Sequence, residues 1–149
     1  MILADKRDFK NGYRKHYSAY KSLDSKSNGE VISKRLILTY SVECGLKYKL
    51  LDEWKIDSSS EVRQIFADKN HPKHNILGSH NLQKIVKELG LEGQFKFPQL
   101  KTIHKDFINS EEFHQMQRYG IKPDNKSESK LDEFEDVLKQ VAEWIGEDI

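Results

Sequence analysis

The fold predicted for this chain depends on one segment, Arg35-Leu-Ile-Leu-Thr-Tyr-Ser-Val-Glu-Cys-Gly-Leu-Lys-Tyr-Lys-Leu-Leu51. Its apolar residues recur on more than one side of a helix, which is typical of the central helix of a bundle. We predict that this helix runs from about Glu30 to Trp54. Three small side chains within it would let a second helix approach closely: Ser41, Cys44 and Gly45.

Helical periodicity also dominates the segments on either side. A first helix is indicated by aromatic residues on one face (Phe9, Tyr13, Tyr17 and Tyr20), and a last helix by the amphipathic stripe from Leu131 to Ile145, capped by Ser129. Shorter helices are predicted between them: after a Ser58–Glu61 capping box, after the Ser79 cap, from Phe97 to Phe107, and from Asn109 to Gly120. Residues 122–129 are predicted to be the most flexible stretch.

These patterns predict an all-α fold, a helical bundle of about six or seven helices in one domain spanning residues 1–149. The core is expected from residues 36–51, 82–89, 100–107 and 131–145.

At 36% hydrophobic and 33% charged residues the chain is globular rather than disordered. No apolar run reaches membrane-spanning length, the amino terminus becomes charged too early for a secretory signal, and Cys44 is the single cysteine. We therefore expect a cytoplasmic protein.

The net charge of +1 conceals an asymmetry between the two ends of the chain. Residues 1–26 carry seven basic against three acidic side chains, and residues 129–149 carry two basic against seven acidic ones. The basic first helix would pair with the acidic last helix or bind phosphates. In the second case the candidate nucleic-acid-binding residues are Lys10, Arg14, Lys15 and Tyr17, because tyrosines interleaved with lysines can stack on unpaired bases. Core packing is the alternative role for these tyrosines.

Histidines are the most evident candidates for chemistry. His71, His74 and His80 lie around one loop, but zinc needs three or four ligands in tetrahedral reach, and the chain has no His-Glu-x-x-His pattern. We therefore predict no metal and no cofactor. His80 follows the predicted Ser79 cap, where the helix dipole disfavours a positive charge.

Three segments together resemble the HEPN family of small helical domains, which is common in prokaryotic toxin–antitoxin and anti-phage systems. They are Ser79-His-Asn-Leu-Gln-Lys-Ile85, Arg118-Tyr119 and Tyr40-Ser-Val-Glu-Cys-Gly-Leu-Lys-Tyr48. The first looks like the His-Asp-Leu segment of that family, with Asn81 where aspartate is usual. The resemblance covers residues 30–146 and implies a homodimer. The surplus of aromatic and apolar residues on the first two predicted helices favours self-association or binding to a larger protein complex, and the lack of a long apolar run predicts no membrane partner.

Catalytic members of that family resemble one another in an arginine, a polar residue and then a histidine after a gap of four to six residues. The arginine would stabilise the phosphorane, and the histidine would transfer protons. No arginine of this chain has a histidine at that spacing, and Arg63 with His71, which has seven residues between them, comes nearest. A composite site of Arg118 with His80 remains open.

The sequence therefore favours a binding or assembly module of a defence or toxin–antitoxin system, without catalytic activity of its own and with little ribonuclease activity when purified. Its partner would be a protein, RNA or another nucleic acid. One alternative is a metal-independent endoribonuclease using residues from Arg118, His80, Arg63 and His71. Another is a structural accessory subunit of a larger complex.

The predicted helical core can be tested at Leu46, in the middle of the central helix. Leu46→Ala is expected to lower the free energy of unfolding by about 2–5 kcal/mol, because the vacated volume cannot be refilled completely. Urea unfolding followed by far-UV circular dichroism measures this change. A spectrum dominated by strand signal would contradict the fold prediction itself.

Overall fold

A computed structural model describes residues 4–23, 28–58, 60–61, 72–147 and 149, except the side chains of Asn28 and His74. Within these residues the chain forms six helices and one two-stranded antiparallel sheet. In chain order the elements are α1 (Lys6–Ser22), α2 (Asn28–Trp54), α3 (Pro72–Leu77), α4 (Leu82–Glu88), β1 (Leu100–Lys101), β2 (Phe107–Ile108), α5 (Phe113–Arg118) and α6 (Glu128–Glu147). The prediction of a mostly helical bundle is confirmed. The short helix predicted after Ser58 lies largely outside the described residues.

The long helix α2 is the centre of the structure, and α1 and α6 pack against it closely at Gly45. A Cβ atom on Gly45 would lie 2.6 Å from Cδ1 of Ile145 and 2.9 Å from Cδ1 of Tyr13. One turn earlier, the Ser41 hydroxyl donates to the backbone carbonyl of Tyr13 at 2.9 Å. The prediction that the small residues of α2 admit a second helix is therefore confirmed.

Tyr13 joins the three helices from α1. Its hydroxyl donates to the carbonyl of Ala142 on α6 at 2.6 Å, and its burial raises its pKa to about 12. Next to it, a Cβ on Gly12 would approach the sulfur of Cys44 to 3.0 Å. The tyrosine face of α1 thus packs inward, as Tyr13 and Tyr20 are both buried.

The amphipathic stripe of α6 is the other half of the core. Its apolar residues are buried from Leu131 to Ile145, and the ring of Phe134 stacks on that of Phe113 with centroids 3.8 Å apart. Leu46 and Leu50 of α2 and Leu82, Ile85 and Val86 of α4 are also buried. The predicted core ranges 36–51, 82–89 and 131–145 are confirmed.

The helix predicted from Phe97 to Phe107 is wrong. This segment forms a hairpin in which Leu100 pairs with Ile108 and Lys101 with Phe107. The backbone turns between the strands, where the N–H of Thr102 donates to the carbonyl of Asp106 and Lys105 adopts a left-handed φ of 66°. Local turn formation prevails here over the helix-like spacing of apolar residues. Leu100 is buried as predicted, but Phe107 lies on the solvent side of the hairpin.

Two predicted caps are displaced by one or two residues. The cap of α4 is Asn81, whose side chain accepts from the N–H of Lys84 at 3.2 Å, while Ser79 accepts from the N–H of Asn81. Helix α6 already begins at Glu128, so that Ser129 lies inside it. His80 therefore precedes the cap, and the helix-dipole argument does not apply to it.

The segment 122–129, predicted to be flexible, is held by hydrogen bonds to the hairpin. The N–H of Asp124 donates to the carbonyl of Lys101 at 2.9 Å, and the N–H of Lys101 donates to the Ser127 hydroxyl at 3.0 Å. Asp124 and Ser127 are both buried. The polar composition misled the prediction, because these side chains satisfy backbone groups instead of facing solvent.

The acidic last helix forms ion pairs with α2. Carboxylates of Asp132 and Glu135 lie 2.8 Å and 3.3 Å from the guanidinium of Arg35. Pairing of α6 with a basic side chain was predicted, but with α1 rather than α2. None of the described helices has both the length and the apolar character that a membrane span requires.

The close helix crossing predicts that Gly45→Ala destabilises the protein. The added methyl would displace Ile145 and Tyr13, which costs about 1–3 kcal/mol for an overpacked core and exceeds the gain of about 1 kcal/mol in helix propensity. Chemical unfolding measures the difference. Gly93→Ala is the control, because its Cβ would meet nothing within 4 Å. Equal stability of the two variants would contradict the tight crossing.

Candidate functional site

One face of α2 carries three polar residues inside the bundle: Tyr40, Glu43 and Lys47. The spacing of three and four residues brings them onto one side of the helix. The carboxylate of Glu43 lies 3.4 Å from the ammonium of Lys47, and only 16% and 8% of these side chains are exposed. Burial of such a pair stabilises a fold little, because desolvation of the two charges offsets their attraction.

The other oxygen of Glu43 binds His80, which lies in the loop between α3 and α4. Its Nδ1 is 2.8 Å from Oε1 of Glu43. Because an ionised carboxylate can only accept, Nδ1 carries the hydrogen of this bond. Nε2 takes no part in this bond, and Glu43 fixes the orientation of the ring.

Helix α5 adds His114 and Arg118, one turn apart. The ring of His114 lies 5.1 Å from the ring of His80 and 6.4 Å from that of Tyr40. The exposed guanidinium of Arg118 donates to the Tyr119 hydroxyl at 3.3 Å and interacts with the hydroxyl of Tyr40. We call these six residues the histidine cluster: Tyr40, Glu43, Lys47, His80, His114 and Arg118.

Hydrogen bonds made by Ser110 join the two segments that carry the histidines. The hydroxyl of Ser110, which precedes α5, donates to Oδ1 of Asn81 at 2.6 Å and accepts from the N–H of Gln83 at 3.0 Å. Asn81 thus caps α4 and anchors the approach to α5 with one oxygen.

The environment of His114 favours its neutral form. Burial lowers the pKa of His114 below the ordinary value of 6.5, and the charges of His80 and Arg118 lower it further. Glu43 and a hydrogen bond to the backbone of Glu111 act in the opposite direction without reversing the shift. The cluster therefore combines one imidazole bound to a carboxylate with a second that resists protonation.

Two of the four predicted catalytic candidates, His80 and Arg118, lie in this cluster. Arg63 and His71 lie outside the described residues. Of the predicted nucleic-acid-binding residues, Arg14 and Lys15 are exposed and the ammonium of Lys10 lies 5.9 Å from the ring centre of Tyr48.

Tyr17, the fourth of these residues, is half-buried in a stack with Tyr13 and Tyr20. Its ring contacts the core, with the ammonium of Lys21 4.7 Å from its centre.

Sequence reasoning did not select Glu43, Lys47 and His114 as site residues. The available signals were a glutamate and a lysine one turn apart in the middle of the helix predicted to be central to the bundle, and a histidine one turn before Arg118. A charged pair at positions expected to be buried indicates a site more often than a solvated helix face does.

In the part of the chain that the structure describes, no three histidine, cysteine or acidic side chains lie close enough together to hold a metal ion. Comparison of the chain with protein-family models, curated proteins and solved structures finds no match. The chemistry of the histidine cluster is therefore the basis on which a function can be assigned.

The coupling between the two histidines can be measured by NMR titration. In His80→Gln, the midpoint for protonation of His114 is expected to rise toward 6.5, because a neighbouring positive charge is removed while burial remains. Glu43→Gln should shift it the other way. Exposed His104, which lies on the hairpin, provides the control variant His104→Gln. An unchanged His114 midpoint in His80→Gln would contradict the cluster geometry.

Proposed function

We propose that this chain is a cytoplasmic HEPN-like protein of a prokaryotic defence or toxin–antitoxin system, and that its histidine cluster binds and cleaves RNA. The observation that carries the proposal is the pair of imidazoles with ring centres 5.1 Å apart, flanked by a carboxylate and a guanidinium. Cleavage next to a ribose 2′-hydroxyl needs a base, an acid and a positive charge near the phosphorane. The cluster contains a group suited to each role.

Each residue would have a distinct role. His114, whose neutral form is favoured, would accept the proton of the 2′-hydroxyl. His80, held by Glu43, would deliver a proton to the departing 5′-oxygen. Arg118 would stabilise the charge of the phosphorane, and Lys47 would balance the charge of Glu43.

The missing arginine-to-histidine spacing argues only against a site that is formed within one segment of the chain. The groups of the cluster come from α2, from the α3–α4 loop and from α5, so their separation in sequence does not limit their separation in space. The composite site of Arg118 with His80, which the sequence left open, is the arrangement that the proposal adopts.

Cleavage of a single-stranded RNA substrate by the purified protein tests the proposal. His114→Gln and Arg118→Gln are each expected to reduce the rate about a hundredfold or more, since acid–base and charge-stabilising groups contribute at that scale. His104→Gln should cleave at the wild-type rate, and circular dichroism should show that all variants fold. Activity should persist with a chelator present.

The pH dependence of cleavage separates the two histidines. The rate is expected to fall as the pH drops through the pKa of His114, below 6.5, because the base becomes protonated. This acidic limb should disappear in the residual activity of His114→Gln and remain in that of His80→Gln. A folded wild-type protein that leaves RNA intact with and without divalent cations would overturn the enzymatic proposal.

A binding or assembly module without catalytic activity is the second candidate. It is favoured by the pairing of both oxygens of Glu43, one with His80 and one with Lys47, because such a network can serve packing alone. The resemblance to the HEPN family also implies a homodimer. RNA that is bound but not cleaved, together with a dimer in sedimentation experiments, would support this candidate over the first.

A further inference from the structure

A second polar surface lies between the β1–β2 hairpin and the start of α6. It is a cavity of about 570 Å³, within the range of about 300–1,000 Å³ typical of ligand sites. Four lysines and one carboxylate line it together with an aromatic ring: Lys101, Lys105, Lys126, Lys130, Asp124 and Phe107. We call this surface the lysine groove.

The ring of Phe107 is the unusual feature of the groove. It is 59% exposed, although large apolar side chains in a domain of this size are mostly buried. The ammonium of Lys101, its cross-strand partner, lies 4.4 Å from the ring centre. A flat apolar surface thus lies directly beside a positive charge.

Hydrogen bonds hold the walls of the groove in position. The backbone of Lys101 bonds to both Asp124 and Ser127, and Thr102 pairs with Pro123 in an isolated bridge. Asp124 accepts from the N–H of Ser127 at 2.8 Å, and its other oxygen lies 3.7 Å from the ammonium of Lys105. Burial opposes ionisation, yet the bonds from Ser127 and the nearby lysines leave the pKa of Asp124 below its ordinary value.

Asp124, the one carboxylate among the residues that line the groove, is therefore already bonded to Ser127 and paired with Lys105. Four ammonium groups against one carboxylate leave a net positive surface around an exposed ring. Positive charge along a groove with an aromatic platform is the combination by which proteins bind single-stranded nucleic acids, since phosphates contact the cations and bases stack on the ring.

We propose that the lysine groove binds single-stranded RNA, with a base stacked on Phe107 and the adjoining phosphates at Lys101, Lys126 and Lys130. The choice of RNA as the ligand rests on the proposed function of the histidine cluster. A double-stranded RNA fits the groove less well, because its bases are paired and stacked on one another and cannot lie on the phenyl ring.

Fluorescence anisotropy with a labelled single-stranded RNA of mixed sequence tests the proposal, in the His114→Gln background so that the probe stays intact. Phe107→Leu is expected to weaken binding about tenfold, whereas Phe107→Tyr, which retains a ring, should bind as the parent does. Because residue 107 is exposed, both variants should keep the unfolding midpoint of the parent.

The lysines are tested through the salt dependence of binding. Replacing Lys126 and Lys130 with glutamine should reduce the slope of log K against log salt concentration by about 1.4, if each contacts one phosphate of a single strand. The matched control replaces two exposed lysines outside the groove, Lys87 and Lys96, and should leave the slope unchanged. An unlabelled duplex of the same length should compete poorly.

Several results would overturn the proposal. These are equal binding by Phe107→Leu and its parent, an unchanged slope in the Lys126/Lys130 variant, equal competition by the duplex, or displacement of the RNA by an acidic peptide at equal charge concentration. If groove variants change the RNA affinity but the wild-type protein does not cleave RNA, only the enzymatic function is refuted. Cleavage that depends on His114 but not on Phe107, with unchanged RNA affinity, would refute only the groove.

Discussion

The packing of α1 and α6 against α2 at Gly45 is the contact on which the other features of this structure depend. A helix is a rigid cylinder with about 100° between successive residues, so fixing one of its faces fixes the direction of all the others. With Gly45 and Ser41 turned toward Tyr13, positions 40, 43 and 47 lie on the far side of α2. The tight crossing on one face of the helix thus determines which residues face α4 and α5 on the other.

The far side of α2 carries charges that a purely structural helix would not need. Glu43 bridges Lys47 and His80 in a largely buried position, where apolar residues would give similar or greater stability. Asn81 and Ser110 hold the two histidine-bearing segments together by a bond of 2.6 Å. Burying these charges costs desolvation, and further hydrogen bonds support the network. We infer that its main effect is to position His80 and His114, and that its contribution to folding is smaller.

In the described part of the chain, both α1 and the hairpin combine lysines with aromatic rings, and these two surfaces differ in burial. On α1 the ring of Tyr17 packs with Tyr13 and Tyr20 against the core, and Tyr13 also bonds to α6. On the hairpin the ring of Phe107 faces solvent beside Lys101. The composition of the two segments is similar, but only the second leaves a ring face accessible for stacking. Burial in the tertiary structure, and not residue type, separates a core contact from a candidate binding platform.

The sequence by itself determined the helical class of the fold, the extent of α2 and the core stripes of α1 and α6. These features follow from apolar periodicity that extends over many residues, so that a local turn or a single side-chain hydrogen bond does not change the prediction. The sequence was insufficient for residues 97–107, where a local bond from the N–H of Thr102 to the carbonyl of Asp106 closes a hairpin. It was also insufficient for residues 122–129, whose polar groups bond to Lys101 more than twenty positions away.

The candidate site divides in the same way. His80 and Arg118 were found from local patterns, whereas Glu43, Lys47 and His114 were not, because nothing in the spacing of residues indicates which helices will meet. Only the tertiary structure decided that α2, the α3–α4 loop and α5 converge, since the close crossing at Gly45 sets the rotation of α2 and thereby directs Glu43 toward His80.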